Sequence, residues 1–255
     1  MSGQAVRTEL FPEGDTKRRI LDAAEVLFVA HGADDMSLRA VTSSAGLNIA
    51  AVNYHFGNKD NLIESLLARR LDPLNDERAR MLAECERRWP DRQLTVDHVL
   101  AAMFVPALRL AGAGGEETLR GAQFFGRAYS DPSPIVTAFV KHRYEAVTVR
   151  FLEAFARTLP HLPRADLRLR LAVVLKSVAG LIAGPEMPDL LAAFVRNGMG
   201  PEQSERRFLG SLGSLMSGAL RAPLRADNTA FNEIFALPEA SPAEARSESN
   251  REGSP

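Results

Sequence analysis

Apolar residues recur at steps of one, three and four through Ile20, Leu21, Ala24, Leu27 and Phe28. That is the stripe of an amphipathic helix, with Asp22 and Glu25 expected on its solvated side. His31-Gly32 reads as its end, because glycine takes the left-handed conformation after a last turn at little cost. Ser37 offers a side-chain oxygen to the free N–H groups of a second, short helix with Leu38, Val41 and Ala45 facing inward, and Gly46 breaks it. Asn48 is placed to cap a third helix carrying Ile49, Val52 and Phe56 on its inner side, and after Gly57, Asn58 is placed to cap a fourth that begins at Lys59. Four helices are thus expected within residues 16–71.

Beyond Leu71 the pattern changes. Asp72-Pro73 fits a cap and a first-turn proline, so the fourth helix is expected to end or kink there, before a second run through Trp89 that Pro90 stops. Further helices are expected over 95–110, 117–130, 134–159, 164–184 and 201–221, each bounded by Pro, Gly or Asp-Pro. The chain therefore reads as all-α. Residues 1–15 form a flexible arm, 16–71 a small N-terminal helical domain, 72–221 a single larger helical domain, and 222–255 a tail. That tail, ending "ASPAEARSESNREGSP", is rich in Ser, Pro, Glu and Arg and is expected to be disordered. No period of about 20 to 50 residues recurs, which argues against a solenoid.

Composition narrows the partners. The 255 residues carry a net charge of -1, with 25% charged side chains, so no global basic excess announces nucleic-acid binding and any such role must rest on a local motif. A single cysteine, Cys85, excludes an internal disulfide and a cysteine zinc cage, and it suits a reducing cytoplasm. Residues 1–13 do not read as a signal peptide. The apolar stretch 171–184 is interrupted by Lys176 and is too short to span a bilayer, so no membrane role is expected.

The local motif lies in "AGLNIAAVNYHFGNKD". At about 100° per residue, Ile49, Val52 and Phe56 form one side of the third helix. Ala50, Ala51 and Tyr54 then point away from the core, flanked by Asn53 and His55. Two bare methyls suit close approach to a groove: they can meet thymine methyls, while Asn can pair with adenine. Tyr54, His55 and Lys59 bring donors to the helix end, where phosphate oxygens would lie. A helix, a turn around Gly46 and a second helix with these exposures make a helix-turn-helix whose third helix is the reader. Lys17, Arg18 and Arg19 at the start of the first helix read equally as phosphate contacts or as a solvated face.

Residues 16–71, with "ILDAAEVLFVAHG" and "SLRAVTSSAGLNIAAVNYHFGNKDNLI", resemble the N-terminal domain of the TetR family of transcriptional regulators. The resemblance implies a homodimer that binds a palindromic double-stranded DNA operator and releases it when a small-molecule effector enters the C-terminal domain. It implies base contacts from Ile49, Ala50, Ala51 and Asn53, with Arg39 entering from the second helix, and phosphate contacts from Thr42, Tyr54, His55 and Lys59. The family often has an aromatic where this chain has Asn53. The "AAVNYHF" variant is similar to the branch that senses fatty acids or acyl-coenzyme A.

The larger domain should hold a pocket and a dimer seam. Phe104, Phe124, Phe125, Phe139, Phe151 and Phe155 are candidates to line an apolar cavity, since Ala101, Ala102, Pro106, Gly121 and Gly126 leave room beside them; ordinary core packing accounts for such a set as well. Arg127, Lys141 and Arg143 are candidates to neutralise an anionic head, and Glu145 or Glu153 a cationic one. Glycines cost a helix about 1 kcal/mol each relative to alanine. Gly210, Gly213 and Gly218 in 201–221 therefore point to close helix contact, with Leu209, Leu212, Gly213, Met216, Ser217 and Leu220 as the seam, packed beside 164–184.

Catalytic patterns are lacking. The five histidines are scattered, without metal-ligand spacing, and no phosphate loop or nucleophile elbow occurs. "GAGG" at 112–115 reads as a connector, and Cys85 is a remote candidate for a redox sensor. Neither cofactor nor metal is expected. The function expected is a ligand-responsive repressor with a fatty acyl or acyl-coenzyme A effector. The alternatives are a regulator of an efflux system sensing aromatic or cationic compounds and, from another class, a helical carrier or enzyme without DNA function.

Overall fold

The computed structural model describes residues 13–90, 93–111, 116–184, 186–195, 201–224 and 229–236. These form α1 (Glu13–Asp35), α2 (Leu38–Ala45), α3 (Ile49–Phe56), α4 (Lys59–Arg88), α5 (Val96–Ala111) and α6 (Glu116–Ser130). There follow α7 (Pro134–Arg143), α8 (Glu145–Thr158), α9 (Arg164–Ala183), α10 (Met187–Val195), α11 (Pro201–Arg221) and α12 (Thr229–Phe235). No strand occurs among the described residues, and no helix there is long and apolar enough to cross a membrane. The chain divides into two compact units, Met1–Arg221 and Ala222–Pro255.

Two apolar clusters organise the first unit. Ile20, Ala24 and Phe28 of α1 are fully buried with Val41, Val52, Leu62, Ile63, Leu66 and Leu67, so α1 and the start of α4 clamp the short α2 and α3. The cluster continues into α6 through Phe124, whose ring centroid lies 5.2 Å from that of Phe28. Burying each of the Val, Leu, Ile and Phe side chains stabilises the fold by about 1.5–3 kcal/mol. The second cluster joins Leu82 of α4 to Val99, Phe151, Phe155, Leu167 and Leu220, and so ties α4, α5, α8, α9 and α11 together. No gap in the core falls at residue 72, because the first cluster runs from α1 to Tyr144.

Several expectations are corrected. Pro73 lies inside α4, which runs unbroken to Arg88. An interior proline costs about 3 kcal/mol or more, but fully buried Leu66, Leu67, Leu71 and Leu74 before and around it, and Leu82 after it, hold both halves. The helix expected over 134–159 is two, α7 and α8, meeting at Tyr144. The Tyr144 ring is buried there and its hydroxyl donates to Asp72 Oδ1 at 2.7 Å. Gly32 does break regular helix geometry in α1, with φ 81. Helix α10 has no counterpart among the expected elements, and α12 stands within the tail expected to be disordered, with Ile234 and Phe235 exposed. The arm 1–12, the "GAGG" connector and residues 237–255 lie outside the described residues.

Glu25 is the largest departure. It is 3% exposed instead of facing solvent. Its Oε2 accepts from Arg69 Nη2 at 2.6 Å and Arg70 Nε at 2.9 Å, and its Oε1 from Arg70 Nη2 at 2.5 Å. Arg69 also donates to Asp22 Oδ1 at 2.7 Å, so the polar side of α1 faces the basic side of α4.

Candidate nucleic-acid interface and effector cavity

Local hydrogen bonds build α2 and α3. Ser37 Oγ accepts from Ala40 N at 3.1 Å at the start of α2, and Asn48 Oδ1 accepts from Ala51 N at 3.0 Å at the start of α3. Gly46 ends α2 at φ 63, a left-handed conformation that glycine adopts without strain. Arg19 Nη2 donates to Ala45 O at 2.7 Å, fastening this turn to α1. At the far end of α3, Asn58 Oδ1 caps Asn61 N at 2.8 Å, while Asn61 Nδ2 donates to Phe56 O at 2.9 Å.

On α3, Val52 and Phe56 are buried. The helical register predicts Ile49 beside them, but it is 46% exposed, because it lies in the first turn, beyond the edge of the core. It therefore shares an open face with Ala50, Asn53 and Tyr54, the last 74% exposed, and Arg39 of α2 is exposed as well. Ala51 is half-buried against the core, and His55 is half-buried with its ring set edge-on to Tyr54 at 5.0 Å. Thr42 is buried, and its hydroxyl donates to Arg39 O at 3.0 Å, so it offers little surface to a phosphate. Lys59 Nζ donates to Asp34 O at 2.9 Å, an internal tie that sequence spacing does not reveal. Of the basic cluster opening α1, Arg18 pairs with Asp15 at 2.6 Å and Lys17 lies 5.8 Å from the centre of the Phe56 ring.

The second unit of chemistry is a cavity of about 520 Å³ between α4, α5, α6, α8 and α9. Phe104, Phe125, Phe151 and Phe155 line it, as do Leu171 and Leu175, and the volume lies in the range of small-molecule sites. Phe124, Phe139 and Arg127 do not. Phe124 is packed into the core against Phe28, Phe139 is set edge-on to Tyr144 at 5.9 Å, and Arg127 Nε donates to Val29 O at 3.3 Å. Gly126 borders the cavity. Residues that sequence reasoning missed are Asn75, Arg78, Tyr129, Tyr144, Arg168 and Lys176. Beneath Tyr144, Arg143 donates to both oxygens of Asp72, at 2.7 and 2.6 Å. These bonds from Arg143, with the one from Tyr144, hold the Asp72 carboxyl below the usual carboxylate range. Burial, followed by the bond to Asp72, pushes the Tyr144 phenol up.

Two family models match this chain. Residues 20–66, which span most of α1 through the start of α4, match bacterial regulatory proteins of the tetR family. Residues 101–217, from α5 into α11, match the tetracyclin repressor-like C-terminal domain. The chain belongs to the TetR family.

Two curated relatives from Pseudomonas putida share 40% identity over 60 residues, 24% of this chain: the HTH-type transcriptional regulator SrpR and the uncharacterized HTH-type transcriptional regulator TtgW. The match spans 28% of the first and 45% of the second. Similar solved structures include a chain assigned to the family from Shewanella sp. PV-4, at 16% identity and TM-score 0.47, covering 77% of this chain and 97% of its own. Another is assigned as a transcriptional regulator from Pseudomonas aeruginosa PAO1, at 16% identity and TM-score 0.46, covering 86% of this chain and 99% of its own.

In this TetR-family chain the seam residues expected on α11 divide. Met216, Ser217 and Leu220 are buried within the same subunit, and Leu212 packs partly against them. Leu209 and Gly213 are half-exposed. The open face of the same helix carries Leu215, 70% exposed, near Gly210, Ser214 and Gly218, and α9 adds exposed Leu169 and Val173. A Cβ built on Gly210, Gly213 or Gly218 meets nothing within 4 Å among the described residues, which therefore do not require their smallness.

Cys85 is buried, and burial followed by Glu84 and Glu86 raises its thiol pKa. A neutral, covered thiol is a poor redox sensor. Among the described residues no group of three His, Cys, Asp or Glu is arranged to hold a metal.

Proposed function

We propose that this chain is a ligand-responsive regulator that binds a palindromic operator as a homodimer and leaves it when a small apolar molecule enters the cavity. The observation that carries this reading is the open face of α3. Ile49, Ala50, Asn53 and Tyr54 stand in solvent on a helix whose opposite side is buried and whose two ends are capped. Ile49, Ala50 and Asn53 suit base edges, with Arg39 reaching in from α2, while Tyr54 and His55 suit the phosphate rim. Ala51, Thr42 and Lys59 are then supporting residues more than contacts, since each is at least half covered. Two copies of α3 in successive major grooves require a separation of about 34–36 Å. The seam that fits this reading is the exposed α9–α11 face around Leu169, Val173 and Leu215.

The cavity supports the ligand half of the proposal, and a fatty acyl chain or its coenzyme A thioester is the favoured effector. Tyr129 and Phe125 of α6 line the cavity, and the same helix ends at the hydrogen bonds that hold α1. Effector binding need shift the operator equilibrium by only about 1–3 kcal/mol.

Genome-wide recovery of bound DNA fragments, followed by affinity measurements on one such fragment across a salt series, tests the proposal. Affinity should fall with salt in proportion to the phosphates contacted, and Tyr54→Phe and Asn53→Ala should each weaken binding. Salt-insensitive binding, or full affinity in both variants, would refute it.

A further inference from the structure

Among the described lining residues of the cavity the charged side chains are Arg78, Arg168 and Lys176, and no carboxylate is among them. Lys176 is exposed and also borders an adjoining hollow of about 430 Å³ whose lining includes Asp131 and Glu145. Arg168 is exposed to water. Arg78 has neither advantage. It is partly buried, and its hydrogen-bond acceptors among the described residues are all neutral. Nε donates to Met103 O at 2.8 Å, while Nη1 donates to the Tyr129 hydroxyl at 2.6 Å and to Asn75 Oδ1 at 3.4 Å. Among the described residues nothing accepts from Nη2.

A cation drawn out of water beside an apolar wall and given only dipoles is incompletely compensated, and an anion placed against it recovers the deficit. The guanidinium is also held in advance. Asn75 is buried, and its Nδ2 donates to Leu71 O at 2.8 Å, which orients Oδ1 toward Arg78. The Tyr129 ring lies 5.2 Å from the guanidinium carbon. A fixed guanidinium with free N–H groups is matched to carboxylate or phosphate oxygens.

We infer that Arg78, held by Tyr129, Asn75 and the Met103 carbonyl, anchors the anionic head of an amphiphilic effector whose apolar body lies against Phe104, Phe125, Phe151 and Phe155. This inference rests on the proposed reading of the cavity as the effector site, and it excludes cationic amphiphiles from that site. The head is either a free carboxylate or the phosphate-bearing part of a thioester.

Calorimetric titration of the full chain with submicellar dodecanoate, dodecanol, dodecyltrimethylammonium and dodecanoyl-coenzyme A tests it. At least one anionic probe should bind about tenfold or more tightly than dodecanol, the scale of a hydrogen-bonded charge, and the ammonium should bind most weakly. Whichever anionic probe binds more tightly names the source of the head. Arg78→Met should erase the preference over dodecanol, and Arg78→Lys should restore part of it. Should Arg78→Met not fold, Tyr129→Phe removes one tether of the guanidinium and should narrow the same preference. Equal or tighter binding of dodecanol or the ammonium overturns the inference, as does an unchanged preference in Arg78→Met, or in Tyr129→Phe where that variant stands in for it, or no binding by any probe. Operator binding is measured separately. A chain with the Arg78-dependent preference and no DNA affinity keeps this inference and loses the regulatory function, and the converse result does the reverse.

Discussion

Asp131 Oδ2 accepts a hydrogen bond from the backbone N–H of Ala33 at 3.2 Å, joining the end of α6 to α1 across 98 positions of sequence. The other oxygen, Oδ1, accepts from Ser133 N at 2.9 Å, and the carboxylate is buried. Gly32 makes the approach possible. Its φ is 81, and a Cβ there would stand 2.7 Å from Asp131 Oδ2. Helix α6 lines the cavity and α1 supports α2 and α3, so this contact joins the two candidate sites.

Asp131→Asn keeps one acceptor and loses the other. The expected outcome is a loss of about 1–3 kcal/mol of stability from the unmet buried N–H, read by urea denaturation, and a smaller ligand-induced drop in operator affinity. Gly32→Ala should destabilise through both the collision and the positive φ.

Glu25 carries its charge beside two guanidinium groups on α4. Losing this buried carboxylate removes three charge-assisted hydrogen bonds while Arg69 keeps its bond to Asp22, a cost of about 1.5–3 kcal/mol. Glu25→Ala should therefore lower the melting temperature sharply, whereas Asp22→Ala, at an exposed carboxylate, should cost less than about 1 kcal/mol. Equal effects would contradict the assignment.

Acid and alkali should act through the Asp72–Arg143–Tyr144 group. The folded pKa of Asp72 is depressed, so its contribution is complete above the ordinary carboxylate range near pH 4 and is lost as pH falls through the folded value. The folded pKa of Tyr144 is raised, so its contribution is complete below about pH 10 and declines as pH rises beyond that. Stability measured against pH should lose the acid-side part of this dependence in Asp72→Asn and the alkaline part in Tyr144→Phe.

Two adjacent residues on α11 should behave differently. Leu215→Glu alters an exposed side chain and is expected to leave each subunit folded while shifting a dimer to monomers in sedimentation. Met216→Ala opens the second core and should cost about 2–5 kcal/mol of stability. A dimer unaffected by Leu215→Glu would remove the α9–α11 face as the seam.

Lys59→Ala removes the bond to Asp34 O, which ties the start of α4 to the end of α1. It is expected to reduce stability by about 1 kcal/mol as well as DNA affinity, so thermal melting must accompany its binding assay.

What the sequence determined by itself is what short-range chemistry decides. Ser37, Asn48 and Asn58 cap the N–H groups three residues onward, as their positions predict, and Gly46 ends α2 in the left-handed conformation that only a residue without a Cβ adopts freely. The helical register likewise made Val41, Val52 and Phe56 legible as core.

Only the tertiary structure decided which side of each longer helix faces what. Glu25 looks solvated until Arg69 and Arg70 arrive from positions 44 and 45 residues away. Phe124 and Phe125 are neighbours of one residue type, yet one fills the core and the other lines the cavity. Helical periodicity marks a side chain as inward in both cases; whether it meets another side chain or an empty volume depends on how helices distant in sequence are spaced. Arg78 is the extreme instance, an arginine on a charged helix in sequence, made a candidate anchor only by the neutral groups that α5 and α6 bring to it.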